Sequence, residues 1–545
     1  MGSSRLTRAA ITVFAIAVTA RMAPFFWTSY PFNPDAFNFA AQADATLASG
    51  TFAHGLIGPH GYVFPTLLTQ LGAITGVDPL WLAQPTIAII GSIPALLVVL
   101  FVWRFGRSLA RPDLRATAAT AAGLALATEG VYLRRTVTVS YEVLGLLFVL
   151  LVAIAAHRIL RTRRPGWAVA IAPLLLALPV THHLSSFITA LVVTAVVVLG
   201  VLAVGLRAVL PGALLVSFWL YVGVYYWLTR PPFSAELAAK PGLFVAWVLV
   251  LCVFAYWLTR ASDRAIRLTA GGVPASGFAI IGANLIWDLF PGTGTTPRLL
   301  AVFVAPLLVF AVLAVWGFPR TIGLTGEDRI LIALFAAPTA WVGFAFSAGI
   351  DPVYVLFARR GQTFLHFSVA VFAGVAILDL FRSDSILART SHSLHRHARW
   401  VLPTLLVTCT LVSLPMAFAD LHVFAYQGTT TGEEFQTATF VAESVTESWT
   451  GDDHITRIAR NYYGAETTTQ PVRQWLRTSS RPPPQPLVTQ ESWQTVGAQV
   501  YPQSPLTVDP DTYQCLTDRR QVVYTTTGTD PLHVLLPTET SAECP

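Results

Sequence analysis

Hydrophobic residues in this chain gather into long uninterrupted runs separated by short polar, arginine-bearing segments, a pattern that alternating strand faces do not produce. Runs such as Ala301 to Trp316, Leu191 to Leu206 and Val401 to Phe418 approach the roughly 20 residues with which a helix crosses the hydrocarbon core. Spans are expected near 8–26, 84–103, 116–128, 141–156, 168–180, 184–206, 212–228, 243–258, 269–290, 299–316, 330–348, 361–380 and 400–419, about thirteen helices in all. The pattern stops near Leu421, where Thr, Gln, Pro, Glu and Asp take over. Residues 1–420 therefore read as a transmembrane domain with a long first loop over about 27–83, and 421–545 as a soluble domain. Within the latter, Phe435, Phe440 and Val441 have helical spacing, and 521–527 and 533–536 are β-prone. The expectation is an all-α polytopic membrane protein carrying a small C-terminal α/β domain.

Composition sharpens this picture. Of 545 residues, 54% are hydrophobic and only 12% charged, where a soluble domain carries about 25% charged residues. The mean hydropathy is +0.59, which excludes a soluble globular enzyme. A net charge of +6 raises the question of nucleic acid, but the cations are scattered among short loops and report topology, so no nucleic-acid partner is expected. With the N-terminus in the cytoplasm, the segments holding Arg104, Arg107, Arg111 and Arg115, then Arg158, Arg161, Arg163 and Arg164, then Arg260, Arg264 and Arg267 fall inside. The acidic tail then lies outside a cell membrane. Cys252 and Cys409 sit in apolar runs and Cys515 and Cys544 in the tail, so at most one disulfide is expected outside.

Polar groups at the outer ends of apolar helices are the informative ones, because charge near hydrocarbon is costly. The first outer loop opens with Tyr30-Pro-Phe-Asn-Pro-Asp35 and continues through Gln42, Asp44, His54 and His60. The next begins at Glu129, passes Arg134 and Arg135, and ends in Ser140-Tyr141-Glu142 at the start of an apolar run. Thr181-His182-His183, Arg298, Arg359 and Arg360 also fall on the outer side. Two outward carboxylates, Asp35 and Glu142, suit general base work or a divalent cation, Mg2+ or Mn2+. Outer arginines suit a phosphate through paired hydrogen bonds. Simpler roles exist for each: Asp35 as a turn or cap residue, Glu142 at a helix N-terminus, and arginines reaching toward headgroups. Adjacent His182 and His183 cannot both face one side of a helix; one hydrogen-bonding a substrate is the better reading.

An acidic motif directly after the first helix, a second outer loop with Arg and a Ser-Tyr-Glu ending, many helices and an outer C-terminal domain together resemble the GT-C superfamily of polyprenyl-phosphate-dependent glycosyltransferases. Oligosaccharyltransferases and protein mannosyltransferases of archaeal type are the relatives it suggests. Gly432-Glu-Glu-Phe-Gln-Thr-Ala-Thr-Phe-Val-Ala is similar to the helix that opens the outer domain of archaeal relatives. The resemblance implies a catalytic or metal-binding role for Asp35 and a metal-binding or acceptor-positioning role for Glu142. It also implies a polyprenyl-phosphate-linked sugar donor, held among membrane lipid, and an extracytoplasmic acceptor. The chain departs from the pattern in having a single Asp after Asn33-Pro34, with no Asp-x-Asp, and no Trp-Trp-Asp in the tail. A transporter of lipid-linked sugars and a non-catalytic scaffold are the competing expectations.

Overall fold

Eleven helices among the described residues are long and apolar enough to cross a bilayer: Ser4–Phe26, Pro79–Phe105, Tyr141–Thr162, His183–Leu202, Val209–Thr229, Pro241–Leu258, Asp263–Asn284, Arg298–Ile322, Ile330–Ala348, Pro352–Leu380 and Trp400–Phe418. The other two expected spans are also helical, Pro112–Thr128 and Pro165–Thr181, but each has only 17 residues. The protein is a multi-pass membrane protein. The computed structural model describes residues 2–51, 61–204, 209–231, 234–291, 295–324, 329–381, 392–478, 481–501 and 503–538. His54, His60 and Cys544 lie outside the described residues.

Helix ends follow local chemistry. The second span begins at Pro79, upstream of the expected 84, because Asp78 accepts a hydrogen bond from the Leu80 N–H at 2.7 Å and Pro79 needs no N–H partner in the first turn. The span expected at 361–380 is longer for the same reason: Asp351 caps Val353 and Tyr354, and Pro352 opens a helix that runs through a 3-10 turn at Gln362–Leu365. Arg359 and Arg360 therefore lie in a helical turn instead of a loop. Among its described residues, the first long loop holds the helices Asp35–Ser49 and Val63–Thr75.

Burial sorts the spans into two groups. Pro79–Phe105, Tyr141–Thr162, His183–Leu202 and Ile330–Ala348 are mostly buried, whereas Val209–Thr229 and Pro241–Leu258 leave residues such as Leu220, Trp227, Leu249 and Val253 exposed as a lipid-facing surface does. Small residues allow the closest approaches. Gly145 faces Ser185 and His182, and a Cβ there would collide with Ser185.

The tail is α/β as expected. Its five-stranded sheet has the order β2-β1-β3-β5-β4, from β1 (Trp449–Thr450), β2 (Thr467–Thr468), β3 (Leu487–Gln490), β4 (Gln521–Thr525) and β5 (Leu532–Leu536). β1 pairs parallel to β2 and β3, and β5 pairs antiparallel to β3 and β4. The helix Gly432–Ser444 opens it with a full capping box between Thr431 and Glu434. The tail core is not closed by the tail alone: Phe37, Ala40 and Leu80 pack in one cluster with Ala438, Val441, Trp449 and Ile458. Tyr30 stacks on Phe435 with ring centres 4.5 Å apart. The first-loop helix is thereby fixed between the membrane bundle and the tail.

Candidate active site

The turn Asn33-Pro34-Asp35 is held from three sides. Asn33 has φ 111°, a left-handed conformation that Asn tolerates better than most residues. Its amide donates to the Val139 carbonyl at 3.0 Å, its N–H to the Gly428 carbonyl at 2.7 Å, and its Oδ1 accepts from the Asp35 N–H at 3.3 Å and from the Tyr426 hydroxyl. Asn461 donates to the Pro34 carbonyl at 3.0 Å. Asp35, in the first turn of Asp35–Ser49, meets the Arg457 guanidinium with Nη1 to Oδ1 at 3.5 Å. About half of the Asp35 side chain, 48%, stays exposed.

Glu142 occupies the first turn of Tyr141–Thr162 and is buried, with 7% exposure. Its Oε2 lies 3.9 Å from the Nε of Arg360, and its Oε1 is buried without a hydrogen bond among the described residues. Tyr141 feels the charges of Asp35, Arg360 and Glu142 together, and its ring lies 5.3 Å from that of His182. Residues far apart in sequence are thus brought to one place around Tyr141. His182 is fully buried with Nδ1 2.8 Å from the Ser185 hydroxyl, and the His183 ring is 4.9 Å away. His183 and Arg360 share the wall of a small apolar cavity of about 10 Å³ with Leu184, Phe187, Leu237, Trp341 and Phe357.

Arg135 joins this cluster. Burial pushes its pKa below the usual arginine value, Glu142 opposes that, and Arg360 and Arg359 add to it. Arg134 points elsewhere: it donates to the carbonyls of Ala419 at 2.6 Å, Tyr426 at 3.3 Å and Ala417 at 3.5 Å, and lies 3.7 Å over the Phe424 ring. Arg298 begins the helix Arg298–Val304 with an exposed side chain, and that helix packs against Gly130–Val137. Sequence reasoning missed three tail residues. Arg457, Tyr426 and Tyr501 reach the cluster from the far side, with Tyr426 and Tyr501 edge to face at 5.8 Å. The one available signal was the helix Asp453–Tyr463, strongly amphipathic and capped by Asp452.

Among the described residues no three His, Cys, Asp or Glu side chains converge on a metal. The buried Oε1 of Glu142, with no hydrogen bond among the described residues, and the Asp35 carboxylate, which also acts on Tyr141, are of the donor type that a magnesium-type ion takes, one or two protein carboxylates completed by water and phosphate.

No family model matches the chain, and no curated protein matches it. Solved structures do. The oligosaccharyltransferase of Archaeoglobus fulgidus in its apo form superposes with a TM-score of 0.50 at 14% identity, covering 87% of this chain and 65% of that one. The chain shares the fold of that enzyme. The same organism's oligosaccharyltransferase AglB, in complex with an inhibitory peptide and a dolichol-phosphate, superposes equally at 0.50 and 14%, covering 86% and 64%. ArnT of Cupriavidus metallidurans in the apo state covers 97% of this chain and 98% of its own at 13% identity, with a TM-score of 0.36, too low to bear on function. The chain spans about two-thirds of the length of the Archaeoglobus enzyme.

Proposed function

We propose that this protein is an integral-membrane glycosyltransferase that moves a sugar from a polyprenyl-phosphate-linked donor to an extracytoplasmic glycan, lipid or protein acceptor. The observation that carries the reading is Arg360, whose guanidinium serves two neighbours at once. It faces Glu142 on one side and the apolar cavity of Phe187, Trp341 and Phe357 on the other. A cation set against an apolar, aromatic-lined wall suits an amphiphile with a phosphate head and a hydrocarbon tail. Dolichol-phosphate is bound by the oligosaccharyltransferase whose fold this chain shares.

On this reading Asp35 accepts the proton of the acceptor hydroxyl or amide as the acceptor attacks the anomeric carbon, which inverts as the bond to phosphate breaks. Arg135, Arg359 and Arg360 receive the charge that develops on the leaving phosphate. Asp35 and Glu142 are the residues that would hold Mg2+ or Mn2+, and a bound ion would add further charge neutralisation there. His183 lines the apolar cavity beside Arg360, and the buried His182 packs behind it. The N-terminus lies in the cytoplasm and the tail outside the plasma membrane, where the donor sugar faces the acceptor.

The test is transfer from a synthetic polyprenyl-phosphate sugar by purified protein in lipid vesicles. Asp35→Asn abolishing transfer while the protein keeps its melting temperature supports the reading; undiminished transfer by that variant overturns it.

A further inference from the structure

Resting on that reading, we infer that Arg457 of the tail domain is a positioning residue for Asp35, so that the tail completes the catalytic site instead of only covering it. Three observations carry this beyond a chance surface pair. Arg457 Nη1 contacts two members of one network, Asp35 Oδ1 at 3.5 Å and the Tyr426 hydroxyl at 3.4 Å. The Tyr426 hydroxyl donates a hydrogen bond to Asn33 Oδ1, the atom that also accepts from the Asp35 N–H, so carboxylate and turn are gripped by one arginine-tyrosine unit. Its carrier is rigid: Asp452 accepts from the N–H groups of His454, Ile455 and Gln499, and Asn461 ties the same helix to Pro34.

The nearest competing acid is already engaged. Asp453 pairs with Arg473 at 3.1 Å, leaving Arg457 directed at Asp35. The exposed half of Asp35 remains open to an acceptor, as a base held by one cation from one side requires. A displacement of about 1 Å at a reacting carboxylate can cost roughly 100-fold in rate.

The experiment compares wild type, Arg457→Gln, Arg457→Lys and Asp35→Asn in the full chain, reading kcat, donor KM and melting temperature. The expected result is a roughly 10- to 100-fold fall in kcat for Arg457→Gln, with donor KM within about threefold and substantial recovery in Arg457→Lys. An Arg457→Gln protein with wild-type kcat overturns the inference and leaves the proposed function standing. A fall in kcat that Arg457→Lys does not repair, accompanied by a lowered melting temperature, also overturns it, because the residue is then structural. Transfer by Asp35→Asn at wild-type rate overturns both.

Discussion

The Nε of Arg360 lies 3.9 Å from Oε2 of Glu142, joining a helix turn in the second half of the bundle to the start of the Tyr141–Thr162 span. The arginine is 27% exposed and the glutamate 10%, so this is a largely desolvated pair whose long separation leaves room for a third charged group. Removing one partner leaves the other with weaker charge compensation, Arg135 still facing Glu142. Arg360→Met is expected to lower stability by about 1–3 kcal/mol, less than a fully closed buried pair. Thermal unfolding in detergent checks it, and Arg360→Met with Glu142→Gln should recover part of the loss.

Arg134 and Arg360 should separate in function. The carbonyl bonds of Arg134 to Ala419 and Tyr426 make it a strut for the segment entering the tail. Arg134→Met is expected to leave donor KM nearly unchanged and to raise protease sensitivity within residues 419–430. Stability should fall by roughly 1–3 kcal/mol. Arg360→Met, by contrast, should raise donor KM tenfold or more in the transfer assay.

Asp420 predicts a pH dependence. Burial raises its pKa to about 7, and His454 and Arg134 only partly counter that. The folded state thus prefers the neutral acid, a preference whose contribution is complete at pH below about 4 and is lost as pH rises through 7. Asp420→Asn, always neutral, should raise stability above pH 7 by on the order of 2 kcal/mol, with the gain vanishing toward pH 4. Melting temperatures of both proteins across that range decide it; an equal shift at every pH contradicts the assignment.

Gln84 is fully buried and bonds three separate segments: its amide donates to the carbonyls of Arg21 at 2.8 Å and Val137 at 3.0 Å, and its Oε1 accepts from the Phe32 N–H at 2.9 Å. Gln84→Leu keeps the volume and leaves those backbone groups unpaired. The expected loss is about 2–4 kcal/mol, seen as a lowered melting temperature and faster hydrogen exchange at Phe32.

Metal dependence has a direct check. Chelation by EDTA followed by dialysis is expected to reduce transfer at least tenfold, with Mg2+ or Mn2+ restoring it in wild type and not in Asp35→Asn or Glu142→Gln.

The amino-acid sequence by itself determined the membrane helices, the change of character near Leu421 and the helix and two strands of the tail, because each is written in local hydrophobic spacing. It also singled out Asp35, Glu142, Arg135, His182, His183 and Arg360 near the ends of apolar runs, where desolvation makes a charge conspicuous. It could not show which of these meet. Arg134 and Arg135 are adjacent and chemically identical, yet one braces main-chain carbonyls and the other faces Glu142, because neighbours on a helix point about 100° apart. Nor could local pattern reveal Arg457, 422 residues beyond Asp35 in a polar tail where one more arginine carries no signal. Only the packing of Phe37 and Ala40 against the tail core brings that helix over the first loop, and a contact of such separation is decided by burial of shared apolar surface, not by either segment alone.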